Sequence, residues 1–261
     1  MLKALLVPLF FALAAMAMAQ NLVPNPSFED TTRCDISDPP FSEALHWTSP
    51  NLATPDLFDA NLERLCGYSM GPDDSYYLPP ADGLRVAAGF QWYGPNSSNT
   101  REYLMAKLLQ PLVEDQSYLV SLKCARSSMN HRAKDRIGVY FGMDSIFQND
   151  GNTLLVVPQV ELFDPQGGYL ESTSWIQMTD TFVGAGGEQW IIYGTFQDAN
   201  EVNGILLPPG WVNTAYYFFD EVSVEGIGHT GSEELPPHFI RSERWPRLLD
   251  RGSSAGRFPD L

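Results

Sequence analysis

The sequence is short of cysteine, histidine and positive charge, and each shortage removes a class of function. Among its 261 residues are three cysteines and four histidines. His46, His131, His229 and His238 are scattered, so neither a zinc set nor a nucleophile–His–acid triad can be assembled from them. No HExxH, GxSxG, P-loop or GxGxxG motif is present, which removes the common signatures of metalloproteases, hydrolases and nucleotide-binding enzymes. GAGGE at 184–188 reads as a tight turn between strands, because no helix follows it to cradle a phosphate. Lys and Arg total 16 against 32 Asp and Glu, a net charge of −16. A surface that acidic repels nucleic acid and anionic membranes, and suits cations, neutral glycans or basic partners.

Long apolar runs are also missing, apart from one at the start. Lys3, the run from Leu5 to Met16 and Ala17-Met18-Ala19 before Gln20 form a secretory signal pattern, with cleavage expected after Ala19. The run is short for a membrane span of about 20 residues, so no transmembrane span is expected after cleavage. Secretion, to the periplasm or the cell surface, sets the expected redox state of the thiols. In SYLVSLKCAR, alternation places Tyr118, Val120, Leu122 and Cys124 on one face, so Cys124 reads as a buried apolar residue. Cys34 and Cys66 remain, both in loop-like sequence, and are expected to pair; the alternative is two free thiols.

What the chain does have is strands. GLRVAAGF, REYLMAKLLQPL, SYLVSLKCAR, RIGVYFGMD, SWIQMTDTFVG, EQWIIYGTF and AYYFFDEVSVEG are each bounded by Gly, Pro, Asn or Asp. No stretch of 12 or more residues keeps a convincing helical period. Short strands separated by turn signals predict an all-β antiparallel sandwich or barrel over residues 20–226. Residues 31–82 are rich in Pro, Asp, Ser and Asn, an irregular stretch that the proposed disulfide would staple. Residues 145–174 look like a second insertion, with Leu154–Val157 as a short strand. Residues 227–261 mix charge with Pro, Gly and Ser and are expected to form a disordered tail.

Two carboxylates stand out. A period of two in AYYFFDEVSVEG puts Tyr216, Phe218, Asp220, Val222 and Val224 on one face, so Asp220 points inward. An inward carboxylate needs a cation, an arginine or hydrogen-bond donors. Glu29, in NLVPNPSFED at 21–30, comes from the other end of the chain, and termini of compact domains often lie close together. The pair can serve as a hard-cation site completed by carbonyls, or as a capping carboxylate and a salt-bridged one.

The ordered series NLVPNPSFED, HWTSPN, TPDLFD, DGLRVAAG, EYLMAKLLQPL, SYLVSL, RIGVYF, GGEQWIIYGTF and YYFFDEVSV resembles a family of secreted jelly-roll domains from Bacteroidetes. These have a galactose-binding-like fold similar to carbohydrate-binding modules and often precede OmpA-like or sorting domains. The resemblance implies an antiparallel jelly-roll β-sandwich with a structural calcium held by Glu29 and Asp220. It also agrees with a bridge between Cys34 and Cys66. The chain departs from the family in carrying Glu221 where a second Asp is usual.

Loop aromatics complete the expectation, because a flat ring stacks on the C–H face of a sugar while acids and amides bond its hydroxyls. The candidates are Trp92 and Tyr93 in QWYGPNSSN, Tyr76 and Tyr77 in DDSYYLPP, and Trp211 in PPGWVN. Trp92 and Trp211 have a competing reading as lids over the ends of the sandwich. Together these features predict a secreted, non-catalytic binding module of the cell envelope that takes a glycan. The alternatives are a structural or assembly subunit bound to another envelope protein, and an enzyme acting on polysaccharide, since the separation of paired carboxylates is a tertiary property.

Overall fold

A computed structural model describes residues 20–32, 34, 40–63, 65–208 and 212–228. The expected signal peptide, Trp211 and all but two residues of the expected tail lie outside them. In chain order the strands are β1 (Trp47–Thr48), β2 (Asp56–Asp59), β3 (Tyr68–Ser69), β4 (Arg85–Trp92), β5 (Leu104–Lys107), β6 (Ser117–Arg126) and β7 (Arg132–Lys134). There follow β8 (Arg136–Gly142), β9 (Val160–Phe163), β10 (Ile176–Val183), β11 (Trp190–Gly194), β12 (Gly204–Leu206) and β13 (Ala215–Gly226). Among the described residues no helix is long and apolar enough to cross a membrane.

Two sheets form the sandwich. One has the order β1-β5-β11-β8-β9 and the other β10-β6-β13-β4-β2-β3, with β12 and β7 as a separate ribbon. Every pairing is antiparallel except β2 with β3. The expected all-β antiparallel sandwich is therefore the fold. Alternation fills the space between the sheets: Val120, Leu122 and Cys124 of β6 meet Ile137, Val139 and Phe141 of β8 and Ile191 and Tyr193 of β11 in one buried cluster. Each large apolar side chain buried there contributes roughly 1.5–3 kcal/mol.

β13 does not keep one period throughout. Its partner in β6 moves from Asp220↔Lys123 to Ser223↔Ser121, so three steps on β13 face two on β6. Glu221, at φ 44°, is the residue that absorbs the extra step. The face assignment from sequence is corrected accordingly. Tyr217, Phe219, Val222 and Val224 enter the main core, whereas Tyr216 and Phe218 lie on the outer side with Val86, Ala88 and Phe58. Asp220 shares the side of Tyr216 and Phe218 and is buried beneath residues 81–82.

Both outer faces carry a cover drawn from the irregular stretches. Met70, Tyr76 and Leu78 pack over the outer face of the six-stranded sheet, and the Trp175 Nε1–H donates to the Pro79 carbonyl at 2.8 Å. Leu154, Ile146 and Val156 cover the outer face of the five-stranded sheet. Leu154–Val157 is thus a covering segment, not the expected strand; the strand comes later, at β9. The cover lets Leu154 reach the sheet while Leu155 and Val157 face solvent.

Cys34 and Cys66 form a disulfide across a separation of 32 residues, and Cys124 is free and buried. Closing a loop of that length stabilises by about 3–4 kcal/mol in the chain-entropy account. The opening stretch is fixed by pairing with the end of β13: the Leu22 N–H donates to Val224 O, and the Val222 N–H donates to Pro26 O. Phe28, held at φ 61°, is fully buried and packs 5.0 Å from the Trp47 ring.

Candidate functional site

Glu29 and Asp220 grip the same segment from opposite ends of the chain. Asp220 Oδ2 accepts the N–H groups of Ala81 and Asp82 at 2.9 and 3.0 Å, and its Oδ1 accepts the Glu221 N–H. Glu29 Oε1 accepts the N–H groups of Leu84 and Arg85 at 2.8 and 2.7 Å. Gly83 sits between, at φ +63°, and a Cβ there would lie 2.4 Å from the Glu29 carboxyl carbon. Only glycine lets the segment pass so close. The Arg85 guanidinium approaches Glu29 Oε2 at 3.5 Å and bonds the fully buried Asp59 at 3.0 Å. Burial pushes Asp220 up to about 7 against the pull of its three backbone donors. Among the described residues no basic side chain ion-pairs with it, and no three His, Cys, Asp or Glu side chains cluster as a metal set.

A second pair of carboxylates lies at the other end of the same outer face. β2 begins at Asp56, opposite Ala88, so the edge of β4 beyond Ala88 lacks a strand neighbour on that side. Glu102 takes its place. Its N–H donates to the Phe90 carbonyl, and its Oε2 accepts the Phe90 N–H at 2.7 Å. Asp56 Oδ2 accepts the Tyr216 hydroxyl. Around them the rings run in contact: Tyr76 to Tyr216 at 5.7 Å, Tyr216 to Phe90 at 4.7 Å, and Phe90 stacked on Tyr93 at 5.1 Å. Tyr76, Phe90, Tyr93 and Asp56 are half-buried, so the cluster reaches solvent along one side.

The electrostatics of this end follow from its apolar walls. Burial pushes Glu102 up to about 8, opposed by the Phe90 N–H and reinforced by the Asp56 charge. Burial pushes Asp56 up to about 6, opposed by the Tyr216 hydroxyl. The Tyr93 hydroxyl rises to about 12 through burial and the Glu102 charge, with Arg101 pulling the other way. Arg101 itself is fully buried; its Nη1 donates to the carbonyls of Ser98 and Thr100 and its Nη2 to that of Gln197, while the buried Nε–H has no partner among the described residues. The arrangement offers ring faces for stacking and carboxyl oxygens for hydroxyl or ammonium groups.

Of the aromatics picked from sequence, Tyr76 and Tyr93 come together here. Tyr77, 45% exposed, lines a neighbouring crevice with Arg126, Ser127 and Thr173. Trp92 points the other way. It is 2% exposed, donates from Nε1 to the Ala199 carbonyl at 2.9 Å, and carries the Arg132 guanidinium 4.7 Å over its ring. It is a core residue, not a platform, because adjacent residues of a strand face opposite sides. Sequence reasoning missed Asp56, Phe90, Glu102 and Tyr216. Alternation alone would put Phe90 and Trp92 on one side; the shift in the β4–β13 register between Ala215 and Tyr216 separates them, and nothing in the sequence marks it.

No family model and no curated protein matches the chain. Among solved structures it is similar to the CBM22-1 xylan-binding domain of Xyn10C from Paenibacillus barcinonensis, at 9% identity and TM-score 0.39, over 80% of this chain and 95% of that one. It is also similar to the K1 cleaved adhesin domain of Lys-gingipain from Porphyromonas gingivalis W83, at 14% identity and TM-score 0.34, over 77% and 96%. A third is the N-terminal cellulose-binding domain of β-1,4-glucanase C from Cellulomonas fimi, at 9% identity and TM-score 0.31, over 67% and 89%. The architecture itself is read from the strand pairing above.

Proposed function

We propose that the protein is a secreted, non-catalytic binding module of the cell envelope that holds a glycan at the Asp56–Glu102 end of the six-stranded sheet. The observation that carries the reading is the stacked Phe90–Tyr93 pair beside those two carboxyls. Half-buried rings supply a surface for the C–H face of a sugar, and the carboxyl oxygens accept its hydroxyl hydrogens. The reading stands on these side chains and not on what the similar structures bind. Tyr93→Ala tests it: retention on a polysaccharide matrix should fall at least tenfold with the melting temperature held. Unchanged retention on every matrix that the wild type binds would sink it.

The reading includes a structural calcium at Glu29 and Asp220. Among the described residues Asp220 is buried without a basic partner, and a hard cation would have to share the Asp220 and Glu29 oxygens with the backbone N–H groups they already accept, main-chain carbonyls completing its shell. The ion would supply charge compensation and tether the two ends of the chain. A chelator should then lower the melting temperature, and Asp220→Ala should remove that effect; identical melting with and without chelator would remove calcium from the account.

A second reading, docking to another envelope protein, is favoured by a separate feature. Phe147, Leu155 and Val157 of the cover over the five-stranded sheet are 69%, 92% and 83% exposed. Replacing all three by Ser should release a co-purifying partner if that reading holds, without affecting glycan retention.

A further inference from the structure

The two carboxyls of the candidate site have fewer partners than most buried acids among the described residues; Glu188, with one backbone donor to Oε1 and a buried, unpartnered Oε2, is the exception. Asp59 has Arg85, Asp135 has Arg136, and Asp220 has three backbone N–H groups. Asp56 is met by one hydroxyl, from Tyr216, and Glu102 by one amide, from Phe90. Among the described residues neither has an ion-pair partner; Arg101, the nearby cation, gives Nη1 and Nη2 to carbonyls and keeps a buried, unpartnered Nε–H. The walls are aromatic: Tyr76, Tyr216, Phe90 and Tyr93 in unbroken contact.

Ring faces carry partial negative charge and attract cations, most strongly where water is displaced. A buried carboxyl without a counter-charge tends to keep its proton, and an incoming cation favours its ionised form. The two features at one place select the same ligand group, a positively charged nitrogen. We infer that the glycan taken at this end is an amine-bearing one, its ammonium set against Asp56 and Glu102 while its ring packs on Tyr93, which Phe90 backs from the other face. The inference rests on the glycan reading above and narrows it to the class of unacetylated amino sugars. Uronate or sulfated glycans would meet these two acids and a chain of net charge −16, and are excluded by the same electrostatics.

Calorimetric titration of the full chain with three oligosaccharides of equal length decides it: a β-1,4-linked glucosamine oligomer, its N-acetylated counterpart and a β-1,4-linked glucose oligomer. The glucosamine oligomer should bind about tenfold tighter than the other two, the order expected of one desolvated cation–ring contact. Asp56→Asn combined with Glu102→Gln should abolish that preference. Glu225→Gln, which removes a charge at the far end of β13, the strand that carries Tyr216, should leave it intact. If Glu225→Gln erodes the preference as much, the attraction is general to an acidic surface and the inference is overturned. Equal affinity for all three oligomers in the wild type overturns it without touching the glycan reading, and no binding to any of them overturns both. The wild-type comparison stands even if the double variant fails to fold.

Discussion

Two pairs of carboxylates sit on the outer side of one sheet, each drawn from distant parts of the chain, and the protein uses them in opposite ways. Glu29 and Asp220 accept the N–H groups of Ala81, Asp82, Leu84 and Arg85, so their oxygens hold a segment of backbone in place. Among the described residues Asp56 and Glu102 accept one protein donor each, and they lie beside rings. The first pair fastens backbone and leaves a cation only the lone pairs those amides do not take; the second has more capacity left over. The difference teaches that burial and a raised pKa do not separate structure from binding, since Asp220 and Glu102 share both. The donors already committed to each carboxylate, taken together with the rings beside it, separate these two.

The comparison can be broken from either side. The largest effect expected is from Trp92→Ala, on the core side of β4: emptying a buried tryptophan site should cost about 4 kcal/mol in a denaturant titration, with binding retained by the folded fraction. Asp220→Ala should follow at about 2 kcal/mol, because three part-buried backbone N–H groups lose their acceptor. If Asp220→Ala melts like wild type, the fastening role is wrong.

A smaller effect follows from the proton balance. Glu102 titrates at about 8 in the folded chain against an ordinary 4.5, so between those values the folded state holds a proton that the unfolded state has released. Its contribution is fully present below pH 4.5 and fades as pH rises through 8. Asp56 and Asp220 act with the same sign up to about 6 and 7. Lys134, fully buried against Thr195, is pulled down by burial to about 7 from 10.5. The folded state there holds less of a proton than the unfolded one, so stability recovers as pH rises from 7 toward 10.5. Thermal unfolding should therefore show a stability minimum near pH 7–8, and Glu102→Gln should make its acid side shallower. A melting temperature that rises steadily from pH 5 to 7.5 would contradict these assignments. The smallest stability effect belongs to Tyr93→Ala, within about 1 kcal/mol for a half-exposed side chain, although its effect on binding should be the greatest of the four.

Much of this was legible in the sequence, and the misses have physical causes. β6, β8, β10, β11 and β13 are long enough to show alternation, and Cys124 falls on the core side of β6, which leaves Cys34 and Cys66 to pair. β1, β3, β7 and β12 span two or three residues, less than the alternation needs to declare itself. The bulge at Glu221 was invisible because both Tyr216–Phe218 and Val222–Val224 are apolar, so counting by two runs through it without a break. Tyr76 and Tyr93 were found as loop aromatics. Asp56 and Glu102 were not, because their meeting depends on β2 stopping short and residue 102 filling the vacant edge, a tertiary event.

The most direct measurement is a backbone amide titration by NMR, adding the glucosamine oligomer and then the neutral glucose oligomer to the full chain. The account predicts saturable shifts at Phe90, Tyr93 and Glu102, with Ser121 and Ser223 on the far half of the same face unmoved. Shifts centred on Ser121 and Ser223, or none with either oligomer, would contradict it.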